Sequence, residues 1–232
     1  MTSTPAPSES RPALTIDVVA DMVCPWCYLG WKRLKAALAM RPEVQAKVTW
    51  RPYQLDPNIP EQGVDRRAHM AKKFPDQARL KEVHDVLMQA GAEDGVDFHF
   101  DRIAFSPNTL AAHRLIRWAQ QQGLQDKVVD GLFVAYFTEG RDIGDPEVLA
   151  EIGVAAGMDR IMILDLLSQG VDAEVVAAEH QIARDAGVTG VPFMIFDSRF
   201  SVIGAESPQK LVRAIDHAIA HQNDGPGTAS LH

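Results

Sequence analysis

Cysteine is scarce in this chain. Only 2 of 232 residues are cysteine, and both lie in the stretch CPWC at 24–27. Positive charge is also short: 23 Lys and Arg against 31 Asp and Glu give a formal net charge of −8. No Lys/Arg cluster stands out. That argues against nucleic acid or an anionic membrane surface as partner. No segment reaches the ~18 consecutive apolar residues of a membrane helix. The first twelve residues, MTSTPAPSESRP, have neither a positive n-region nor an apolar h-region, so they do not read as a secretory signal. Their Pro, Ser and Thr content predicts a disordered lead-in over 1–12. The expected compartment is the cytoplasm, where structural disulfides are rare. What is present is ordinary: 46% hydrophobic and 23% charged residues, enough to bury a core without staples.

The pattern along the chain starts with LTIDVVA (14–20), an apolar β-branched run that predicts a buried strand. Residues 25–40 predict a helix with Pro25 in its first turn, where a missing N–H costs nothing. KVTWRPY (47–53) predicts a second strand. Helical spacing then dominates from about 65 to 187. The first helix of that block is expected to stop at Gly91, and VDFHF (96–100) to be extended. The next helix is expected to start at Ser106–Pro107, and a later one at Asp145 and Pro146. Strand character returns at VPFMIF (191–196), with a turn at 197–199 and a pairing strand at 200–204. A last helix is capped by Ser207 with Pro208 at N1, and the polar end reads as a disordered tail over 224–232. The order is β-α-β, a long helical block, then β-β-α. The block reads as an insertion at 61–187 within one small α/β domain formed by 13–60 and 188–223.

The two cysteines carry the chemistry. A structural zinc needs four ligands, and a single C-x-x-C has no second pair and no spaced histidine pair near it. The histidines at 69, 84, 99, 113 and 180 are scattered and receive no role. A bridge closing so short a loop would barely constrain the unfolded chain. A redox pair suits the position. A thiolate is the attacking species in disulfide exchange. A helix N-terminus stabilises an anion and can bring a cysteine from about 8.5 to roughly 3.5–7.5. Cys24 is then the nucleophile and Cys27, one turn on, the resolving thiol. Pro25 stiffens the turn, and Trp26 either packs or meets a bound chain. A C-x-x-C beside a βαβ pattern reads as a thioredoxin-like redox motif.

CPWC at 24–27 with GVPF at 190–193 resembles the thioredoxin superfamily, and more narrowly the DsbA family with its helical insertion. Further stretches resemble the FrnE-like branch, related to 2-hydroxychromene-2-carboxylate isomerases. These are DMVCPWCYLG at 21–30, WRPYQL at 50–55, PNTLAAHRL at 107–115, GVTGVPF at 187–193 and GAESP at 204–208. The resemblance implies a thioredoxin-like α/β fold with a large all-helical insertion. It implies a cis Val191–Pro192 bond against the cysteine pair, so that Pro192 shapes the site and the Val191 backbone can take an extended substrate. It also places Asn108 near a substrate cleft, although Pro107-Asn108-Thr109 equally reads as a plain helix start. Asp17 and Asp21 precede the pair, and a buried carboxylate there could move a proton from Cys27. Capping is the commoner role, and neither is assigned to the site.

The expected function is thiol–disulfide exchange with protein disulfides or dithiols, and with glutathione as a candidate redox partner. No bound cofactor or metal is expected. The competing reading is a glutathione-dependent isomerase or transferase on the same scaffold. Those relatives carry serine where Cys24 stands, and the presence of both cysteines disfavours it.

Overall fold

The computed structural model describes residues 13–222 and the backbone of residues 229–230. The expected disordered lead-in over 1–12 lies outside the described residues, as do 224–228 and 231–232 of the expected tail.

Strand β1 (Ala13–Ala20) alternates between buried and exposed positions at its start and is buried on both faces at its end, which suits a central strand. Helix α1 (Pro25–Ala39) crosses over to β2 (Gln45–Pro52), which pairs with β1 in parallel, Ile16 opposite Val48. After the helical block, β5 (Phe193–Phe196) pairs antiparallel on the other side of β1, Val19 opposite Phe193. β6 (Phe200–Ile203) then turns back on β5. Asp197 and Ser198 supply the turn, with φ of 48° and 55°. Helix α9 (Pro208–Ala220) packs on α1 and returns over the sheet. Residues 229–230, expected to be disordered, instead form a short strand parallel to β6. That edge of β6 would otherwise present unpaired N–H and C=O groups. The sheet order is β2-β1-β5-β6 and the terminal strand.

The inserted block begins with a two-stranded ribbon, β3 (Val64–Asp65) with β4 (Phe105–Ser106). It brackets α2 (Arg66–Lys73) and α3 (Gln77–Asp94). Then follow α4 (Leu110–Gln121), α5 (Gln125–Phe137), α6 (Pro146–Ala156), α7 (Arg160–Ser168) and α8 (Ala173–Asp185). The predicted caps are in place: Asp145 accepts from the Glu147 N–H, and Ser207 from the Lys210 N–H.

Other expectations changed as well. Gly91 does not end its helix; α3 runs to Asp94, and Gly95 at φ 70° makes the left-handed stop. Gly91 is needed for close approach, since a Cβ there would sit 2.7 Å from Phe98 Cδ2 and 2.8 Å from the Val96 carbonyl. Residues 96–100 form no strand, because Phe98 and Phe100 stack on each other at 5.1 Å, packing against the core. Ser106 belongs to β4, and α4 starts only at Leu110, whose N–H is taken up by Asn108 Oδ1 at 2.9 Å.

One continuous core joins the two parts. Leu14, Ile16, Leu34 and Ile215 around the sheet share a cluster with Phe133, Leu149 and Ile163 of the insertion. The link passes through α1. Tyr28 stacks on Phe133 at 4.9 Å and 11°, Trp31 meets Trp50 edge-on at 5.0 Å, and the Trp31 indole N–H donates to Asp130 at 2.8 Å. The helix that carries the cysteines is therefore held from both sides.

Candidate active site

The polypeptide leaves β1 at Ala20, turns through residues 21–24 and enters α1 with Pro25 in its first turn. The turn closes by a bond from the Cys24 N–H to the Asp21 carbonyl, 3.0 Å. Cys24 is the N-cap, in extended conformation, and its side chain makes no capping bond. The N–H groups of Cys27 and Tyr28 both go to the Cys24 carbonyl. That of Trp26, in the first turn, has no partner within the helix.

The S–H of Cys24 donates to the Val191 carbonyl at 3.6 Å. The Val191–Pro192 peptide is cis, as the resemblance implied. Pro192 lies against α1 at Gly30, where a Cβ would come within 2.8 Å of its Cγ. Glycine at that helix position is what lets the loop before β5 approach the cysteine pair. The structure brings the stretch with Cys24, Pro25 and Cys27 against the stretch with Val191 and Pro192, 167 residues on. Trp26 packs against the core and lines the cleft in front of Cys24. Asn108 is not itself a lining residue of that cleft, but its neighbour Pro107 and its partner Ile59 are. Its amide donates to the Ile59 carbonyl at 2.6 Å, and its oxygen accepts from Gln54 and Leu110.

Cys24 is 4% exposed and borders the cleft, whereas Cys27 is 1% exposed and lies behind it. Both are free thiols. Burial first, then the hydrogen bond and the charge of Cys24, push the Cys27 thiol well above its ordinary value. The Asp21 carboxylate adds to this, and a backbone bond from Asp21 opposes it. Cys27 is therefore protonated at neutral pH in the reduced form.

Asp21 is the residue that sequence reasoning considered and set aside. It is 1% exposed. One oxygen accepts from the Leu55 N–H at 2.7 Å; the other makes no hydrogen bond and lies 3.6 Å from His113 Nε2. His113, also buried, reaches the Tyr53 carbonyl at 3.1 Å. The available signal was a carboxylate directly after an apolar strand and three positions before Cys24, where solvation is poor.

The raised Cys27 thiol has a measurable consequence. The folded state disfavours the thiolate, so the stability of the reduced protein is level below the ordinary thiol value of 9.0. It then falls as pH rises, by up to about 1.4 kcal/mol per pH unit. The urea midpoint measured up the alkaline range should show that fall, and Cys27→Ala should flatten it. Asp21→Asn removes a like charge that raises the folded-state value, so the fall should begin at the same pH but be smaller in total. The tyrosines raised by burial, Tyr28 and Tyr136, start from 10.0 and act further up the scale.

The model of the DSBA-like thioredoxin domain matches residues 15–216. The chain belongs to the DSBA-like thioredoxin family. Within its fold, a probable DsbA oxidoreductase from Streptomyces coelicolor is 28% identical, covers 89% of this chain and 90% of its own, and has a TM-score of 0.80. A 2-hydroxychromene-2-carboxylate isomerase is 17% identical, with coverage of 90% and 97% and a TM-score of 0.66. The cytosolic disulfide reductase DsbM of Pseudomonas aeruginosa, in a structure with GSH, is 19% identical, with coverage of 90% and 96% and a TM-score of 0.59. The last two share the fold. Among the described residues no helix is long and apolar enough to cross a membrane.

Proposed function

We propose that the protein is a thiol–disulfide oxidoreductase of the FrnE-like branch, working through Cys24 and Cys27. The observation that carries this is the division of labour between the sulfurs: Cys24 at the cleft against the Val191 carbonyl, Cys27 buried behind it. In the reducing direction the Cys24 thiolate attacks a substrate disulfide. One substrate thiolate leaves, and a mixed disulfide forms. Cys27 then loses its proton and attacks Cys24, so the second substrate thiol departs and the pair holds the new disulfide. Two electrons pass from the dithiol to the substrate. The same steps reversed oxidise a dithiol. Protein disulfides or dithiols and glutathione are the proposed partners, in the cytoplasm. No step requires a metal or a nucleotide.

Equilibration in glutathione redox buffers tests the reading. The two thiols should disappear together in one two-electron transition, with a mass change of two hydrogens. Stable glutathionylation of one cysteine, with the other still titratable, would remove the resolving role of Cys27.

The isomerase or transferase reading keeps one point in its favour, a cleft of small-molecule size beside Cys24. Glutathione-dependent isomerisation of an aromatic enol that survives Cys27→Ser would support it.

A further inference from the structure

The cleft in front of Cys24 has a volume of about 570 Å³. Its walls come from the cysteine turn, the loop at 55–59, α2, α3 and the loop at 190–191. That volume lies in the range of sites for small organic molecules. Cys24, at its edge, is only 4% exposed. A disulfide on the surface of a folded protein meets a steric barrier there that a small molecule does not.

The lining is largely apolar, with Trp26, Ile59, Val83, Leu87, Phe100 and Val191. Its charges are unbalanced. Asp56 is engaged by His69 at 3.2 Å and Lys73 at 3.9 Å, and Asp76 is the N-cap of α3, accepting from the Arg79 N–H at 3.0 Å. Arg66 has no such answer. Its guanidinium donates to the Tyr136 hydroxyl at 3.1 Å and rests by that ring. Tyr136 in turn donates to the Phe105 carbonyl. Among the described residues no carboxylate lies within ion-pair distance of Arg66. His84 stacks on Phe100 at 4.2 Å, and burial and then the Arg66 charge lower its affinity for a proton. A half-buried guanidinium anchored by a buried tyrosine, with most of its donors free, is a preorganised receptor for a carboxylate. It is a cationic spot in a protein of net charge −8.

Resting on the thiol-exchange reading above, we propose that the cleft selects a low-molecular-weight disulfide, or its thiol, with an apolar body and a carboxylate, and that Arg66 binds the carboxylate. Exchange follows the same balanced course: Cys24 bonds to one sulfur, the other leaves as thiolate, and Cys27 releases the first.

The test uses the full-length reduced protein in single turnovers, with three probes. Dithiobis(nitrobenzoate) is an aromatic disulfide with carboxylates, dithiodipyridine is a neutral one, and insulin is a folded protein disulfide. Each rate is divided by that of a free small thiol with the same probe. The wild type should favour the anionic probe over the neutral one by about tenfold or more, a preference that shrinks as salt rises. Insulin should be slowest. Arg66→Met should lose the preference while keeping the neutral rate, which shows that the variant is folded; Arg66→Lys should keep part of it. Equal preference in wild type and Arg66→Met, or insulin fastest, would overturn the assignment while leaving thiol exchange standing. Failure of the wild type with every probe would remove both.

Discussion

Cys24→Ser should abolish disulfide exchange, lowering the initial rate of insulin reduction about 1000-fold or more, since a hydroxyl cannot replace a thiolate as nucleophile or hold the mixed disulfide. The substitution keeps the size of the side chain and its place as N-cap, and serine is favoured there. Circular dichroism and the thermal midpoint should therefore stay close to wild type. Cys27→Ser should behave differently. The first attack proceeds, the release step does not, and the protein should accumulate as a mixed disulfide visible by mass spectrometry. Turnover that persists in Cys24→Ser would show that the chemistry lies elsewhere.

Gly30→Val should cost both stability and activity. A Cβ at this position meets Pro192 Cγ at 2.8 Å and Met194 Cε at 3.4 Å, and the two further methyl groups add to the crowding. Replacing glycine within a helix returns roughly 0.5 kcal/mol of propensity. Overpacking a tight contact costs about 1–3 kcal/mol, so the clash wins. The strain falls on the joint between α1 and the Val191–Pro192 loop, where the Cys24 S–H reaches the Val191 carbonyl. The rate of reaction with dithiodipyridine should drop about tenfold or more in protein that is still folded at 25 °C. Gly30→Ala should fall between, and a valine variant of full activity would mean that this joint does not set the position of the sulfur.

The site's centre was legible because its signals are local. A β-branched run, a C-x-x-C and a proline in the first turn of a helix all lie within residues 14–27, and the second half is marked by GVPF. The surroundings were not legible in the same way. Asp21 and His113 meet only because α4 packs near β2, a contact with no local pattern. The break between α2 and α3 was written as Pro75 and Asp76, yet the helical spacing on either side masked it. Gly91 carried a stop signal, but tertiary crowding under Phe98 explains it. The cleft is assembled from stretches scattered between residues 23 and 191, none of which announces a wall.

The joint between α1 and α5, made by one indole and a stacked ring pair, has a mechanical corollary. It ties the insertion to the helix that carries the cysteines, which opposes a swing of one part against the other around a guest. Adjustment falls to the rim. There α2 has no buried residue at all, and α3 commits only Leu87 and Gly91 to the interior. The width of the doorway is set by how far that pair of helices can breathe while the sulfurs stay fixed.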